Sequence, residues 1–243
     1  MSGGWRTRCP WPGDGDPRLK PLWMSHPRPT ISDVSSAVPF YGLDIETDTS
    51  TGGLDPTCSA IVAVAVSGSD LEIVLDGPEA QLIVELDALV AQLQPGVVVT
   101  WNGGRFDLPF IAHRAAHHGI GLGLDLTEAP GRSLRHRAEE EVDHQRSYLA
   151  TWYDHGHLDG YRLFRSDAGR ALGLSCGLKN LARLVGLVPI EVDRSNIHLL
   201  SEQELAEYVA SDARMARQLV ERRAPTALRA VDRVLGPKAT VTR

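Results

Sequence analysis

Phe40-Tyr41-Gly42-Leu43-Asp44-Ile45-Glu46-Thr47 is where regular order begins in the chain, and its aromatic and aliphatic residues read as a β-strand. Side chains alternate across a strand, so Leu43 and Ile45 share one face while Asp44 and Glu46 share the other. Two acids on one face repel each other. A solvent-facing edge strand would tolerate them, but the aliphatic and aromatic neighbours favour a central strand. A central strand with two acids on one face needs a counter-charge from elsewhere in the chain.

Working outward, Ala60 to Ser67 and Leu71 to Leu75 read as two more strands, the first almost wholly aliphatic. Pro78 to Leu93 has helical spacing, with Leu82, Leu86, Leu89, Val90 and Leu93 on one face. Val97 to Trp101 is a short β-branched strand, followed by a helix from about Phe106 to His118. Gly119 to Gly156 is polar and mixed in charge, and reads as an insertion loop or hairpin. Leu178 to Val185 is a short helix. Ser201 and Glu204 have capping-box spacing, with Leu200 and Leu205 placed as a hydrophobic staple, and open a helix running to about Arg222. Strands first, then strand and helix alternating, predict an α/β domain over 39–224 with a central mixed sheet flanked by helices. A C-terminal helix and tail occupy 225–243. Residues 1–38 are rich in Pro, Gly, Ser and Arg without periodicity, and read as an extended or disordered arm. That arm holds Trp5, Trp11 and Trp23, and Met24 is a candidate natural start.

Two further acids sit where apolar residues are expected. Asp107 lies inside Phe106-Asp107-Leu108-Pro109-Phe110-Ile111, just after Asn102-Gly103-Gly104. An N-cap role would account for it alone. In the last helix, Leu205, Tyr208, Val209, Asp212, Met215, Ala216 and Leu219 form one stripe, which puts Asp212 in the buried face. Burying an unpaired carboxylate costs several kcal/mol or shifts its pKa until it is neutral. A core arginine could satisfy one such acid. Three patterns of this kind call for a shared counter-charge, and divalent cations supply it economically. Mg²⁺ favours a few carboxylates plus water and substrate phosphate. Two ions about 4 Å apart would neutralise four carboxylates and hold the attacking and leaving oxygens of a phosphoryl transfer.

Leu43-Asp44-Ile45-Glu46-Thr47, Asn102-Gly103-Gly104-Arg105-Phe106-Asp107 and Tyr208-Val209-Ala210-Ser211-Asp212 resemble, in order, the three motifs of the DEDD exonucleases. Tyr208 stands four residues before Asp212, as in the tyrosine branch; the histidine branch has His five before, where this chain has Glu207. The spacing is most similar to the exonuclease domain of family B DNA polymerases. His157-Leu158-Asp159-Gly160-Tyr161-Arg162 and Leu178-Lys179-Asn180-Leu181 resemble segments of the same group, and the likeness covers roughly Phe40 to Arg223. It implies an RNase H-like fold and removal of nucleotides from the 3' end of single-stranded nucleic acid. It also implies two Mg²⁺ or Mn²⁺ held by Asp44, Glu46, Asp107 and Asp212. On that resemblance Asp44 bridges both ions, Glu46 and Asp212 serve the water-activating ion, and Asp107 the outer one. Asp159 is then a structural acid near the cleft. No polymerase, helicase or Walker A motif accompanies these segments, so a stand-alone nuclease is expected, which sets proofreading in doubt.

Tyr208 lies one turn before Asp212 on the same face, where its hydroxyl can aim the attacking water; a plain core aromatic is the alternative. Thr47, Asn102, Arg105, Phe106 and Lys179 are the candidate substrate contacts, with Arg162, Arg165 and Arg183 as further basic residues for a strand-binding cleft. Phe106 is placed either to stack on the terminal base or to fill the core. The expected substrate is single-stranded DNA. An RNA-trimming exoribonuclease and a catalytically silent binding module on the same fold are the alternatives.

The bulk numbers fit this reading. The chain has 243 residues, 42% of them hydrophobic, and a net charge of -6, so no global basic field attracts nucleic acid. Cys9, Cys58 and Cys176 are too widely spaced for a zinc site or disulfide framework, which favours a reducing, cytoplasmic setting. There is no apolar signal core, and Ala60 to Val66 is too short for a membrane span. His113 and His117 share a helix face without a third ligand, Gly119, Gly121 and Gly123 form a weak GxGxG, and Glu139-Glu140-Glu141 reads as a solvated charge run.

Overall fold

A computed structural model describes residues 38–129 and 146–235. The arm up to residue 37, with its tryptophans, Cys9 and Met24, lies outside the described residues, as do Glu139-Glu140-Glu141 and the tail from 236. The elements run β1 (Phe40–Thr47), β2 (Ile61–Ser67), β3 (Glu72–Asp76), α1 (Glu79–Gln92), β4 (Val97–Thr100), α2 (Asp107–His117), β5 (Leu124–Glu128), β6 (Tyr148–Trp152), β7 (His155–Asp159), α3 (Gly160–Phe164), α4 (Leu178–Leu184), α5 (Glu202–Glu221) and α6 (Ala224–Leu235). The strands form one seven-stranded sheet in the order β3-β2-β1-β4-β7-β6-β5. β1, β4 and β7 are parallel to one another, and the remaining pairs are antiparallel. The sheet is therefore mixed, with helices packed on it, as the element order predicts.

β1 is an interior strand, which excludes the edge alternative for Asp44 and Glu46. Its two faces meet different helices. Tyr41, Leu43 and Ile45 join Leu82, Ile83 and Leu86 of α1 and Phe110 and Ile111 of α2 in one core. On the opposite face, Phe40, Val97, Val99 and Leu158 pack with Leu181 of α4, Met215 and Leu219 of α5, and Val231 of α6. Small residues mark where α5 lies closest: Ala63 and Ala65 of β2 meet Val209, Ala210 and Ala213. Gly42 completes this bed, since a Cβ there would stand 1.9 Å from the Ala213 carbonyl oxygen. The helix on the Asp44 side of β1 is thus seated against bare backbone.

Of the two readings of 119–156, insertion loop or hairpin, the hairpin holds: β5 and β6 pair antiparallel at the sheet's end. His155–Asp159, whose first two residues fell in that segment, is instead an interior strand. Only four residues of β7 precede its closing acid, and two of them are His and one Gly, so its pattern carried little strand signal. Asp87 of α1 anchors the hairpin, accepting hydrogen bonds from the Gly123 N–H (2.9 Å), Trp152 Nε1 (2.8 Å) and the Tyr153 hydroxyl (2.5 Å). Asp107 is the first residue of α2 rather than its cap; Phe106 holds the cap position and makes no capping bond. The capping box of Ser201 and Glu204 forms as expected. Among the described residues no helix is long and apolar enough to cross a membrane.

Candidate active site

Parallel strands β1, β4 and β7 bring their carboxyl ends to one side of the sheet, the side on which α/β folds place their ligand crevices. Asp44 and Glu46 stand near the end of β1, Asp107 follows β4, and Asp159 ends β7. Asp212 comes from α5, one residue before the Ala213 carbonyl that rests over Gly42. Asp107 and Asp212 are buried, at 4% and 3% exposure, while Asp44 and Glu46 keep some contact with solvent.

The turn between β4 and α2 is built for close approach. Asn102 takes a left-handed backbone, φ 70°, which Asn tolerates better than most residues. A Cβ on Gly103 would lie 2.3 Å from Thr100 Oγ1 and 2.8 Å from Asp107 Oδ2, so only glycine lets the chain fold back there. Asp159 Oδ1 accepts from the backbone N–H groups of Asn102 (3.0 Å) and Arg162 (3.3 Å), tying this turn to the start of α3. This is the structural role expected of Asp159. Next to it His157 Nε2 meets Thr100 Oγ1 at 2.9 Å, and burial, with a smaller effect from Arg162, lowers its pKa to about 3. That imidazole is neutral at physiological pH.

The four acids feel one another. Burial, then Asp107, Glu46 and Asp212, raise the Asp44 pKa well above the usual carboxylate range. Burial and Asp212 push Glu46 up to about 8. Burial lifts Asp107 to about 7, with Asp159 adding to the rise and the backbone N–H groups of Asp107 and Ile45 opposing it. Asp212 rises to about 6, burial being held in check by Lys179, Arg194 and the Tyr208 hydroxyl. Asp212 Oδ1 and Asp159 Oδ2 are buried with no hydrogen-bond partner among the described residues. Lys179 Nζ stands 3.6 Å from Asp212 Oδ1, an ion-pair distance rather than a hydrogen bond.

Tyr208 is 1% exposed, with Lys179 Nζ 4.2 Å from its ring centroid and Arg194 Nε donating to its hydroxyl at 3.1 Å. Burial, Asp212 and Glu46 raise its pKa, so the hydroxyl keeps its proton at neutral pH. Lys179 is buried and also donates to the Ile190 carbonyl at 2.5 Å, which places it beneath the acids rather than along an open cleft. Thr47 Oγ1 donates to the Gly53 carbonyl, and Phe106 is half-buried with its ring 5.3 Å from that of Phe110. Arg105 is half-buried beside them in sequence. Arg162, Arg165 and Arg183 pair with Ser147, Tyr161 and Glu191. His113 and His117 are exposed on α2, as a solvated face would have them. Arg194 had no sequence signal: it lies fourteen residues before Tyr208 in a segment without periodicity, and only the folded turn brings it to the acids.

Residues 63–168 match the family model of the DNA polymerase family B exonuclease domain. This part of the chain is thus similar to the exonuclease domain of family B DNA polymerases. The matched span includes Asp107 and Asp159; Asp44, Glu46, Tyr208 and Asp212 lie outside it. The chain is 31% identical over 139 residues to a DNA polymerase epsilon catalytic subunit of Arabidopsis thaliana, across 56% of this chain and 6% of that protein. It is 35% identical over 128 residues to a DNA polymerase epsilon catalytic subunit of Schizosaccharomyces pombe, across 51% of this chain and 5% of that protein. The chain thus spans only a small part of the curated relatives it matches. Among solved structures it resembles the family B DNA polymerase from the hyperthermophilic archaeon Pyrobaculum calidifontis. The TM-score is 0.60 and the identity 19%, over 77% of this chain and 25% of that one. The fold is accordingly RNase H-like.

The donor set suits divalent cations: oxygen ligands only, an excess of acids over nearby bases, and a buried carboxylate oxygen on Asp212 left without a hydrogen bond. Among the described residues no three such side chains are already drawn together as ligands of one ion.

Proposed function

We propose that this chain is a metal-dependent 3'-5' exonuclease that removes nucleotides from single-stranded nucleic acid, with DNA as the first substrate. The observation that carries the reading is the gathering of Asp44, Glu46, Asp107 and Asp212 from three separate elements at the carboxyl ends of the parallel strands, each with its pKa raised. DNA is preferred because the similar curated proteins are DNA polymerase subunits.

In this reading the four carboxylates hold two Mg²⁺ or Mn²⁺. When bound, these ions supply the positive charge that activates water and offsets charge on the phosphodiester. The chain's own residues do the rest. Tyr208 holds its proton and can donate it in a hydrogen bond that orients the attacking water. Lys179, fixed beneath the Tyr208 ring, keeps Asp212 ionised and ready to take up metal. Phe106, half-exposed at the start of α2, offers a ring face to the terminal base. Thr47, Asn102 and Arg105 flank the acids in the chain and are the proposed contacts to sugar and phosphate.

The test is digestion of 5'-labelled single-stranded DNA and RNA of one sequence with Mg²⁺, Mn²⁺ or EDTA. The expected result is a ladder shortening one nucleotide at a time from the 3' end, faster on DNA, and lost with EDTA or in Asp44→Asn. Absence of a ladder with either metal, or undiminished digestion by Asp44→Asn, would refute the reading.

A further inference from the structure

The acids are served by two cations of very different character. Lys179 is fixed: its side chain is 10% exposed, bonded to the Ile190 carbonyl and set against the Tyr208 ring. Arg194 is not: its side chain is 71% exposed, and one end reaches Tyr208 while the other stands 3.7 Å from Asp212 Oδ2. Its backbone, by contrast, is well held. Arg194 opens the helical turn Arg194–Leu199, which Asp193 caps by accepting from the Ser195 N–H at 3.0 Å. Ile197 of that turn is buried at 2%, and His198 Nδ1 meets Thr49 Oγ1, in the loop after β1, at 2.7 Å. A long guanidinium on a fixed post therefore enters the acid cluster from solvent.

We propose that Arg194 is the site's internal counter-cation, which competes with divalent metal for the Asp212 side of the cluster and, once displaced, binds a phosphate of the nucleic-acid strand. This rests on the exonuclease reading. Guanidinium and metal ion both need the same carboxylate, so each weakens the other by the same factor. An arginine has no use for a cation beside it, but its planar donors match a phosphate, and an exposed side chain loses little by moving. Arg194 is thus a substrate-contacting residue whose resting contacts differ from its working ones.

The experiment is calorimetric titration of Mn²⁺ into the metal-free full chain without nucleic acid, for wild type, Arg194→Gln and Arg194→Lys, followed by steady-state kinetics on single-stranded DNA. Removing the charge is expected to tighten Mn²⁺ binding about fivefold or more, the lower end of typical coupling between two ligands. Arg194→Lys, which keeps the charge, should lie nearer wild type. KM for the oligonucleotide should rise about tenfold in Arg194→Gln, from loss of a phosphate contact. A merely structural arginine would give weaker metal binding on removal, the opposite sign. Equal or weaker Mn²⁺ binding by Arg194→Gln, or an unchanged KM, overturns the assignment. Wild type that takes up no Mn²⁺ would instead sink the exonuclease reading itself.

Discussion

At the scale of single residues, Tyr208 separates catalysis from metal binding. Its ring is buried with Lys179 against its face, so Tyr208→Phe keeps the ring and removes only the hydroxyl. The lost contact with Arg194 is worth about 1 kcal/mol of stability, the usual net value of a hydrogen bond. If the hydroxyl aims the nucleophilic water, kcat should fall roughly 10- to 1000-fold while Mn²⁺ affinity holds within about twofold. Turnover within twofold of wild type would leave the acids standing and remove Tyr208 from the mechanism. Asp212→Ala should lose metal binding and activity together. Tyr208 and Asp212 were legible in the sequence because a polar group in the apolar stripe of an amphipathic helix contradicts its surroundings. Lys179 was legible only by resemblance, and its burial beneath the acids was not, since no local pattern marks a lysine as buried. Arg194 broke no pattern at all.

Elements are held in place by absences as much as by contacts. Gly42 sits in an interior strand, where glycine ordinarily weakens the sheet, and the reason is the α5 backbone directly above it. Gly42→Ala would put a methyl group against the Ala213 carbonyl, and α5 would have to lift. The expected cost is about 1–3 kcal/mol, as for other overpacked interiors, read as a lower urea midpoint with an unchanged slope. Since α5 carries Asp212 and β1 carries Asp44 and Glu46, Mn²⁺ binding should weaken too. An alanine variant as stable and as tight for metal as wild type would show that α5 is not positioned by this contact. The strand, the helix and their acids were readable from periodicities of 2 and 3.6. Which strand lay under which helix was not, because that choice is made by Gly42, Ala63 and Ala65, and small residues carry no periodic signal. The hairpin of β5 and β6 was one of two readings open for its segment, and what fastens it was not legible: Asp87 comes from α1, distant in sequence, so the hairpin's own residues do not show what holds them.

Across the whole molecule two groups of acids oppose each other in their dependence on pH. Glu79 accepts from Arg114 through two nitrogens, from His118, and from the Ile61 N–H, joining α1, α2 and β2. Burial works against its charge, but these partners outweigh it and hold its pKa near 2. A depressed folded-state pKa contributes stability that is full above the unfolded value, about 4.5, and is lost as pH falls toward 2. The site acids have the reverse sign. Their folded-state pKa values are raised, to about 8 for Glu46 and about 7 for Asp107, so the folded chain binds more protons than the unfolded one between roughly pH 4 and those values. Without metal, stability should therefore fall as pH rises through that window. In EDTA the melting temperature should peak on the acid side of neutrality, dropping below about pH 4 as Glu79 protonates and above about pH 5 as the site acids ionise. Saturating Mn²⁺ binds the ionised cluster and should raise and flatten the upper limb, leaving the acid limb unchanged. Glu79→Gln should weaken the acid limb alone, and Asp44→Asn the upper limb alone. A metal-free profile that rises steadily from pH 5 to 8 would mean that the carboxylates are not confined together, and the two-ion site would fall with them.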